Sequence, residues 1–334
     1  MVSRRNLEER FALTGEPLFF SIVCRLFYSF AKPSFLYPES IAEKFWLMSE
    51  LKVITDSEQI KTVNPSDNAI FGMDAETFLD SFPEEPIFDL VVTSPPYNIG
   101  KEYEKKVALE KYMEWQERII RKIYVRLKDT GSICWQVGNY VDNGAIIPLD
   151  FEFAPIFKSL DMKLRNRIIW HFGHGLHSKK RFSGRYEVVL WYTKTDDYTF
   201  NLDPVRIPSK YPGKKYYKGP HKGELSGNPL GKNPEDVWDI PNVKSNHVEK
   251  TAHPCQFPVG LIERLVLSMT NEGDLVFDPF AGASSTGVAA IVHNRNFWGC
   301  EIIDEYVDIS RKRLQQSLDG TVKYRPFDKP IFDK

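Results

Sequence analysis

The stretch Asp278-Pro279-Phe280-Ala281-Gly282-Ala283-Ser284-Ser285-Thr286-Gly287 follows a short apolar run and precedes a helical one. In an open α/β sheet, ligands bind at the carboxyl ends of strands. Glycines there allow close backbone approach, and a helix start offers unpaired N–H groups. Two nucleotide sites are excluded. A P-loop would share the Gly282-to-Gly287 interval but needs Lys where Val288 stands, and a dinucleotide fingerprint needs a G-x-G-x-x-G that is absent. What remains is a ligand without phosphate but with an ammonium group, for which Asp278 is a suitable partner. Twenty-three residues beyond Asp278, Glu301 ends the strand-like Trp298-Gly299-Cys300-Glu301. An acid at that distance can accept from both ribose hydroxyls of a nucleoside. The plainer alternative has Glu301 cap the helix that begins near Asp304.

A second constellation, Thr93-Ser94-Pro95-Pro96-Tyr97-Asn98, also ends a strand-like run. Two consecutive prolines fix φ and restrict the residue before them, so the loop is rigid. A rigid rim of carbonyl and hydroxyl acceptors beside an aromatic face suits a planar heterocycle with an exocyclic amino group. The ring would stack on Tyr97 while its N–H bonds go to Ser94 and the Pro95 carbonyl. Taken alone, the same residues also fit a Pro-Pro turn with a packed Tyr.

Together, D-P-F-A-G-A-S-S-T-G and T-S-P-P-Y resemble the cofactor and catalytic motifs of the amino-group DNA methyltransferases, which use S-adenosylmethionine. The catalytic motif comes first, which resembles the permuted β-group order. Thr251-Ala252-His253-Pro254-Cys255-Gln256-Phe257-Pro258 is similar to the family's H-P-x-Q-x-P motif, and Trp298 to Ile302 to its acidic ribose motif. Phe71-Gly72-Met73-Asp74 matches the G-D motif near the cofactor adenine more loosely, because Met73 intervenes. The resemblance spans roughly Asn68 to Leu314. It implies a circularly permuted methyltransferase fold, a seven-stranded, mostly parallel sheet with helices on both faces. It implies a cofactor site at Asp278, Phe280, Gly282, Thr286, Glu301, Asp74 and Pro258, and an amino-nitrogen site at Ser94, Pro95, Pro96 and Tyr97. An aniline-like amine is a poor nucleophile, and hydrogen bonds from both its N–H groups would favour a pyramidal, reactive nitrogen. Ser94 is too weak a base to deprotonate it beforehand, so positioning and electrostatics would supply most of the rate. A paired amino group is out of reach in a duplex, so the base must flip out.

The target amine is read as N4 of cytosine, with N6 of adenine as the alternative. Ser at position 94 resembles the cytosine enzymes, whereas Ile168 to Lys194 is similar to some adenine enzymes. An RNA methyltransferase and a catalytically silent nucleic-acid-binding module are further readings.

The elements that must carry these loops alternate. Strand signals lie at Ala69–Phe71, Phe88–Thr93, Ser132–Val137, Leu164–Trp170, Tyr186–Tyr192, Asp274–Phe277 and Phe297–Glu301. Helical spacing is expected over Ala108–Leu127, ended by Gly131, and over Val259–Met269, Ser284–His293 and Glu305–Leu314. Such alternation means a parallel sheet covered on both faces. Lys194 to Lys250 breaks it with a Pro-, Gly-, Lys- and Tyr-rich stretch too long for a structureless loop, so it reads as a target-recognition insertion with its own small structure. The expected organisation is an N-terminal arm over 1–47, a catalytic half over 48–193, the insertion over 194–250, a cofactor half over 251–320 and a tail over 321–334. The arm is either extra helix on the core or sequence preceding a natural start at Met48.

The 334 residues, 42% hydrophobic and 27% charged, are ordinary globular composition, which argues against a disordered or fibrous chain. With 44 basic and 45 acidic residues the net charge is −1, so any nucleic-acid contact must be local. Lys163 to Arg185 holds seven basic residues and no acid, and Arg206 to Lys232 holds seven against Glu224 alone. Lys179, Lys180, Arg181, Arg185, Lys214, Lys215 and Lys218 are the expected phosphate contacts. Double-stranded DNA is the expected partner; a cognate restriction endonuclease and a second copy of the chain, as a homodimer, are compatible with it. Four well-separated cysteines without a C-x-x-C pair exclude a disulfide framework and a thiolate zinc site. His171, His174 and His177 share a metal-like spacing, but Gly173 and Gly175 argue for a loop and no metal is expected. No run reaches about 18 apolar residues, so no membrane partner is expected and the chain reads as cytoplasmic.

Overall fold

The computed structural model describes residues 51–98, 100, 106–173, 175 and 177–329. The expected arm over 1–47 and the tail beyond 329 lie outside the described residues.

The strands are β1 (Leu51–Ile54), β2 (Asn68–Phe71), β3 (Phe88–Thr93), β4 (Leu127–Val137), β5 (Asn139–Asp142), β6 (Ala145–Pro148), β7 (Lys163–His171), β8 (Tyr186–Thr193), β9 (Val237–Asp239), β10 (Leu275–Asp278) and β11 (Asn296–Cys300). The helices are α1 (Ala75–Ser81), α2 (Leu109–Arg126), α3 (Leu149–Ser159), α4 (Val259–Met269), α5 (Ser285–Val292) and α6 (Asp304–Leu318). Nine strands form one sheet in the order β1-β2-β11-β10-β3-β4-β8-β7-β9, and β5 and β6 form a separate hairpin. Within the large sheet only β8 runs against its neighbours β4 and β7. The seven strands from β2 to β7 match the expected sheet. The two further strands, β1 and β9, sit at its edges and span four and three residues, too short to leave a period in the sequence.

A parallel sheet covered on both faces needs strands that are apolar throughout, and alternate side chains then feed two cores. One core takes Phe88, Val91, Trp135, Phe277 and Trp298 against α1, α2 and α3. The other takes Leu90, Val92, Val189 and Val276 against α4, α5 and α6. Phe88 and Phe277 stack across adjacent strands with ring centroids 4.4 Å apart.

The helix over Leu109–Arg126 stops before Gly131, and β4 starts at once. The buried Arg126 guanidinium donates to the carbonyls of Lys122, Leu79 and Phe82, which pins the last turn to the end of α1. Leu127 is then free to enter the sheet beside Phe88.

The 194–250 segment carries little regular structure apart from bridges pairing Ile207 with Lys232 and Lys215 with Leu225. Its end is built into the main sheet, because β9 lies parallel to β7. The described part of the tail, 321–329, lies against the start of α4: Arg325 N–H donates to the Glu249 carboxylate and Phe327 N–H to Glu263. Gly260 allows this approach, since a Cβ there would lie 2.9 Å from the Arg325 carbonyl oxygen. Among the described residues no helix is long and apolar enough to cross a membrane.

Candidate functional site

β10 is flanked by β3 and β11, with Val276 beside Leu90 and Asp278 beside Gly299, so both chemistry-bearing loops leave neighbouring strand tips. The Thr93 hydroxyl spans the gap and donates to Asp278 Oδ1 at 2.6 Å.

The loop after β10 turns into α5 through two left-handed residues, Gly282 (φ +53°) and Ser284 (φ +51°). A Cβ on Gly282 would stand 3.0 Å from His253 Nε2, so only glycine fits without displacing the histidine. Glu301 sits beside this turn. Its carboxylate accepts from Gly282 N–H at 2.9 Å and from Ile303 N–H at 2.8 Å, and burial pushes its pKa up to about 7. Glu301 thus holds the N–H of Ile303, the residue before α6, and lines the adjoining cavity.

That cavity, about 730 Å³, is lined at one end by Asp74, Phe280, Gly282 and Glu301 and at the other by Ser94, Pro95, Pro96 and Tyr97. Asp74 uses Oδ1 to cap α1, accepting from the N–H groups of Glu76 and Thr77. Trp115 of α2 meets Phe280 edge-on, with centroids 5.6 Å apart.

Asp278 is 0% exposed and is not among the residues that line the cavity. Its Oδ1 accepts from Thr93 and from Phe280 N–H, and its Oδ2 from the Thr286 hydroxyl at 2.7 Å. Desolvation pushes its pKa up to about 6. Asp278 thus braces the two loops through these hydrogen bonds. Thr286, its partner, and Pro258, the buried N-cap of α4, likewise stand behind the lining.

At the opposite end, Ser94 Oγ and Tyr97 Oη are 3.0 Å apart, and the Tyr97 hydroxyl donates to Gln136 Oε1 at 2.7 Å. Gln136 Nε2 in turn donates to Glu187 Oε2. Burial raises the pKa of the Glu187 carboxyl and, more strongly, that of the Tyr97 phenol. Gln136 and Glu187 escaped sequence reasoning. Their one signal is polarity inside the apolar strand runs Cys134-Trp135-Gln136-Val137 and Glu187-Val188-Val189-Leu190. Asn98, left-handed at φ +59°, fixes the loop exit by pairing its side-chain amide with both backbone groups of Val107.

Lys179, Lys180 and Arg181 are exposed on the loop joining β7 to β8. Phe172 N–H donates to the Arg185 carbonyl to close that loop, and Phe172 and Glu187 at its two ends line the cavity. Phe182, at its tip, is 100% exposed. Lys214, Lys215 and Lys218 are exposed in the 194–250 segment and do not line the cavity. His171 Nδ1 pairs with Asp239, and His174 lies outside the described residues.

A family model described as DNA methylase matches residues 88–312. The type II methyltransferase M.BglII of Bacillus subtilis is 53% identical, with 75% of this chain and 70% of that protein aligned. The DNA adenine methyltransferase YhdJ of Escherichia coli (strain K12) is 32% identical over 78% of this chain and 86% of its own length. Among solved structures, the Thermus thermophilus protein TTHA0409, complexed with S-adenosyl-L-methionine, superposes with a TM-score of 0.54 at 25% identity, covering 76% of this chain and 97% of that one. With braced strand tips around one cavity and this kinship over most of its length, the chain belongs to the DNA methylase family and is a DNA methyltransferase.

Proposed function

We propose that this protein methylates N4 of cytosine at a specific site in double-stranded DNA, taking the methyl group from S-adenosylmethionine. The observation that carries the reading is the single cavity with Gly282 and Glu301 at one end and Ser94 and Tyr97 at the other. The lining suits the cofactor: the whole cavity, about 730 Å³, falls in the range of small-molecule sites, and the Glu301 carboxylate is an acceptor for hydroxyl hydrogens. Glu301 would accept from the ribose hydroxyls, Phe280 and Gly282 would form the wall, and Asp74 would stand near the adenine. Asp278, Thr286 and Pro258 would hold that wall from behind. When bound, S-adenosylmethionine supplies a methyl group on a sulfonium, an electrophile that needs no further activation.

The chain's own residues then act on the amine. Tyr97 offers a face on which the flipped base stacks, a contact worth about 1–3 kcal/mol per base. Ser94 Oγ and the Pro95 carbonyl accept its two N–H bonds, which turns the nitrogen lone pair toward the cofactor end. Pro96 keeps the acceptor rim rigid. Ser94 lies too far from carboxylate basicity to remove a proton first, so the proton leaves after the methyl group has moved.

Ser94 in the first position of the Ser-Pro-Pro-Tyr loop supports cytosine. A second reading, N6 of adenine, is favoured by the adenine specificity in the name of YhdJ. The type II naming of M.BglII supports a cognate restriction endonuclease in a restriction–modification pair, working in the cytoplasm where the DNA is. Lys179, Lys180, Arg181, Arg185, Lys214, Lys215 and Lys218 would contact DNA phosphates.

Expression in a host lacking DNA methylation, with modified bases mapped by sequencing, tests this. The expected product is N4-methylcytosine in one short sequence, and Tyr97→Ala should lower its rate of formation by about 100-fold. N6-methyladenine would transfer the conclusion to the second reading, and an unmodified genome together with methylated RNA would overturn both.

A further inference from the structure

Neither Gln136 nor Glu187 has a part in the chemistry described so far, yet both line the base end of the cavity. The direction of each hydrogen bond there dictates the next. An ionised carboxylate can only accept, so Glu187 Oε2 takes a hydrogen from Gln136 Nε2. That orients Gln136 Oε1 toward Tyr97, whose hydroxyl donates to it at 2.7 Å. A phenol carries one hydrogen. With that hydrogen given to Gln136, the Tyr97 oxygen can only accept from Ser94 Oγ, 3.0 Å away. Ser94 therefore directs its own hydrogen into the protein and keeps its lone pairs for a ligand. The second approach of Tyr97 Oη, to Glu187 Oε2 at 3.4 Å, runs in the same sense.

We propose that Gln136 and Glu187 are positioning residues that hold Ser94 as an obligate hydrogen-bond acceptor, so that the pocket selects a base edge bearing an amino group and rejects one bearing a keto oxygen. The inference rests on the reading that this end of the cavity receives the target base. Gly138 makes the arrangement possible, since a Cβ there would lie 3.2 Å from the Tyr97 ring and 3.4 Å from Glu187 Oε1. The arrangement also has a defined failure. A protonated Glu187 can donate to Gln136 Oε1, the amide turns over, Tyr97 donates to Ser94, and Ser94 presents a hydrogen to the pocket. The titratable groups facing Glu187 are phenols, Tyr97 and, acting on Tyr97, Tyr112. Gln136 and Gly138 from the β4 side and Trp170 from β7 do not titrate. Loss of selectivity on acidification is therefore a property of the Glu187 carboxyl, whose burial raises its pKa.

Competition binding with duplexes that differ only in an amino or keto group on the target base measures the effect. Cytosine is compared with uracil, and adenine with hypoxanthine, for the full chain and for Glu187→Gln. Because a mismatched base flips more easily in both proteins, the quantity compared is the ratio of the two preferences. The wild-type preference should exceed that of Glu187→Gln by about tenfold or more, since an amide can present either face to Gln136. The wild-type preference should itself fall as the pH is lowered and the carboxyl gains a proton. Glu187→Asp should keep the preference at reduced kcat. A Glu187→Gln protein that melts like the wild type and discriminates equally well would overturn the proposal. Should Glu187→Gln fail to fold, Gln136→Leu and the wild-type pH series read the same quantity. A wild type that methylates no amino group refutes the proposed function, whereas one that methylates while Glu187→Gln keeps its preference refutes only this inference.

Discussion

The two ends of the cavity are built by different means. At the Gly282 end the functional surface is backbone: a left-handed turn, N–H groups of Gly282 and Ile303, and a carboxylate that ties them together. At the Tyr97 end it is a relay of side chains drawn from the loop after β3 and from strands β4 and β8, each taking its direction from the next. A backbone-built surface tolerates no change in shape but carries little directional information. A relay of side chains can be altered one atom at a time, and its selectivity changes with it. Catalysis that must hold one constant cofactor and choose among similar bases is served by this division.

The comparison is broken most directly at the turn. Gly282→Ala forces a Cβ into a left-handed residue, a cost of roughly 1–2 kcal/mol, and pushes it against His253. Cofactor affinity measured by calorimetry should fall by about 100-fold while DNA binding at the far end stays within about twofold. Equal losses at both ends would mean that the ends are not separable.

The exposed loop gives the next largest effect. Lys179→Ala, Lys180→Ala and Arg181→Ala combined should weaken DNA binding by about tenfold at physiological salt and flatten the salt dependence by about 0.9 per lost phosphate contact. Cofactor binding should not change. An unaltered salt slope would remove this loop from the DNA surface.

Glu301 gives the most diagnostic effect. Its pKa in the folded chain is about 7, raised by burial from an ordinary 4.5. The native state thus holds the proton more tightly than the unfolded one, so the stability from this group is full below about 4.5 and is lost as pH rises to about 7, a change on the order of 3 kcal/mol. Cofactor affinity should move the opposite way and tighten through the same interval, because an ionised carboxylate is the better acceptor for hydroxyl hydrogens. Glu301→Gln should flatten both curves and weaken cofactor binding by about tenfold. A wild-type melting temperature independent of pH in that interval would contradict the burial argument.

What the sequence made legible follows the same division. Gly282 and the Pro95-Pro96 pair act through their own backbone, so their meaning is local and can be read one residue at a time. The alternating strands were equally plain, because a buried parallel sheet needs unbroken apolar runs. Gln136 and Glu187 acquire their role only through register: Gln136 pairs with Val189 across β4 and β8, which brings Glu187 alongside Gly138 and Tyr97. No spacing rule connects positions about fifty apart. The two threonine hydroxyls that Asp278 accepts, from Thr93 and Thr286, were not legible, because one of them comes from a strand 185 positions away. The edge strands β1 and β9 are too brief to show a period.

β9 also constrains how target choice could be altered. Trp238 lies beside Trp170 in the sheet, Trp170 Nε1 donates to the Ile240 carbonyl, and Ile240 N–H donates to the His171 carbonyl. Trp170 and Phe172 then continue into the cavity wall. The stretch that would read a DNA sequence and the wall that would receive the base are thus rungs of one ladder. Grafting a foreign reading segment onto this scaffold would have to carry that ladder with it, or the new address would arrive at a misaligned door.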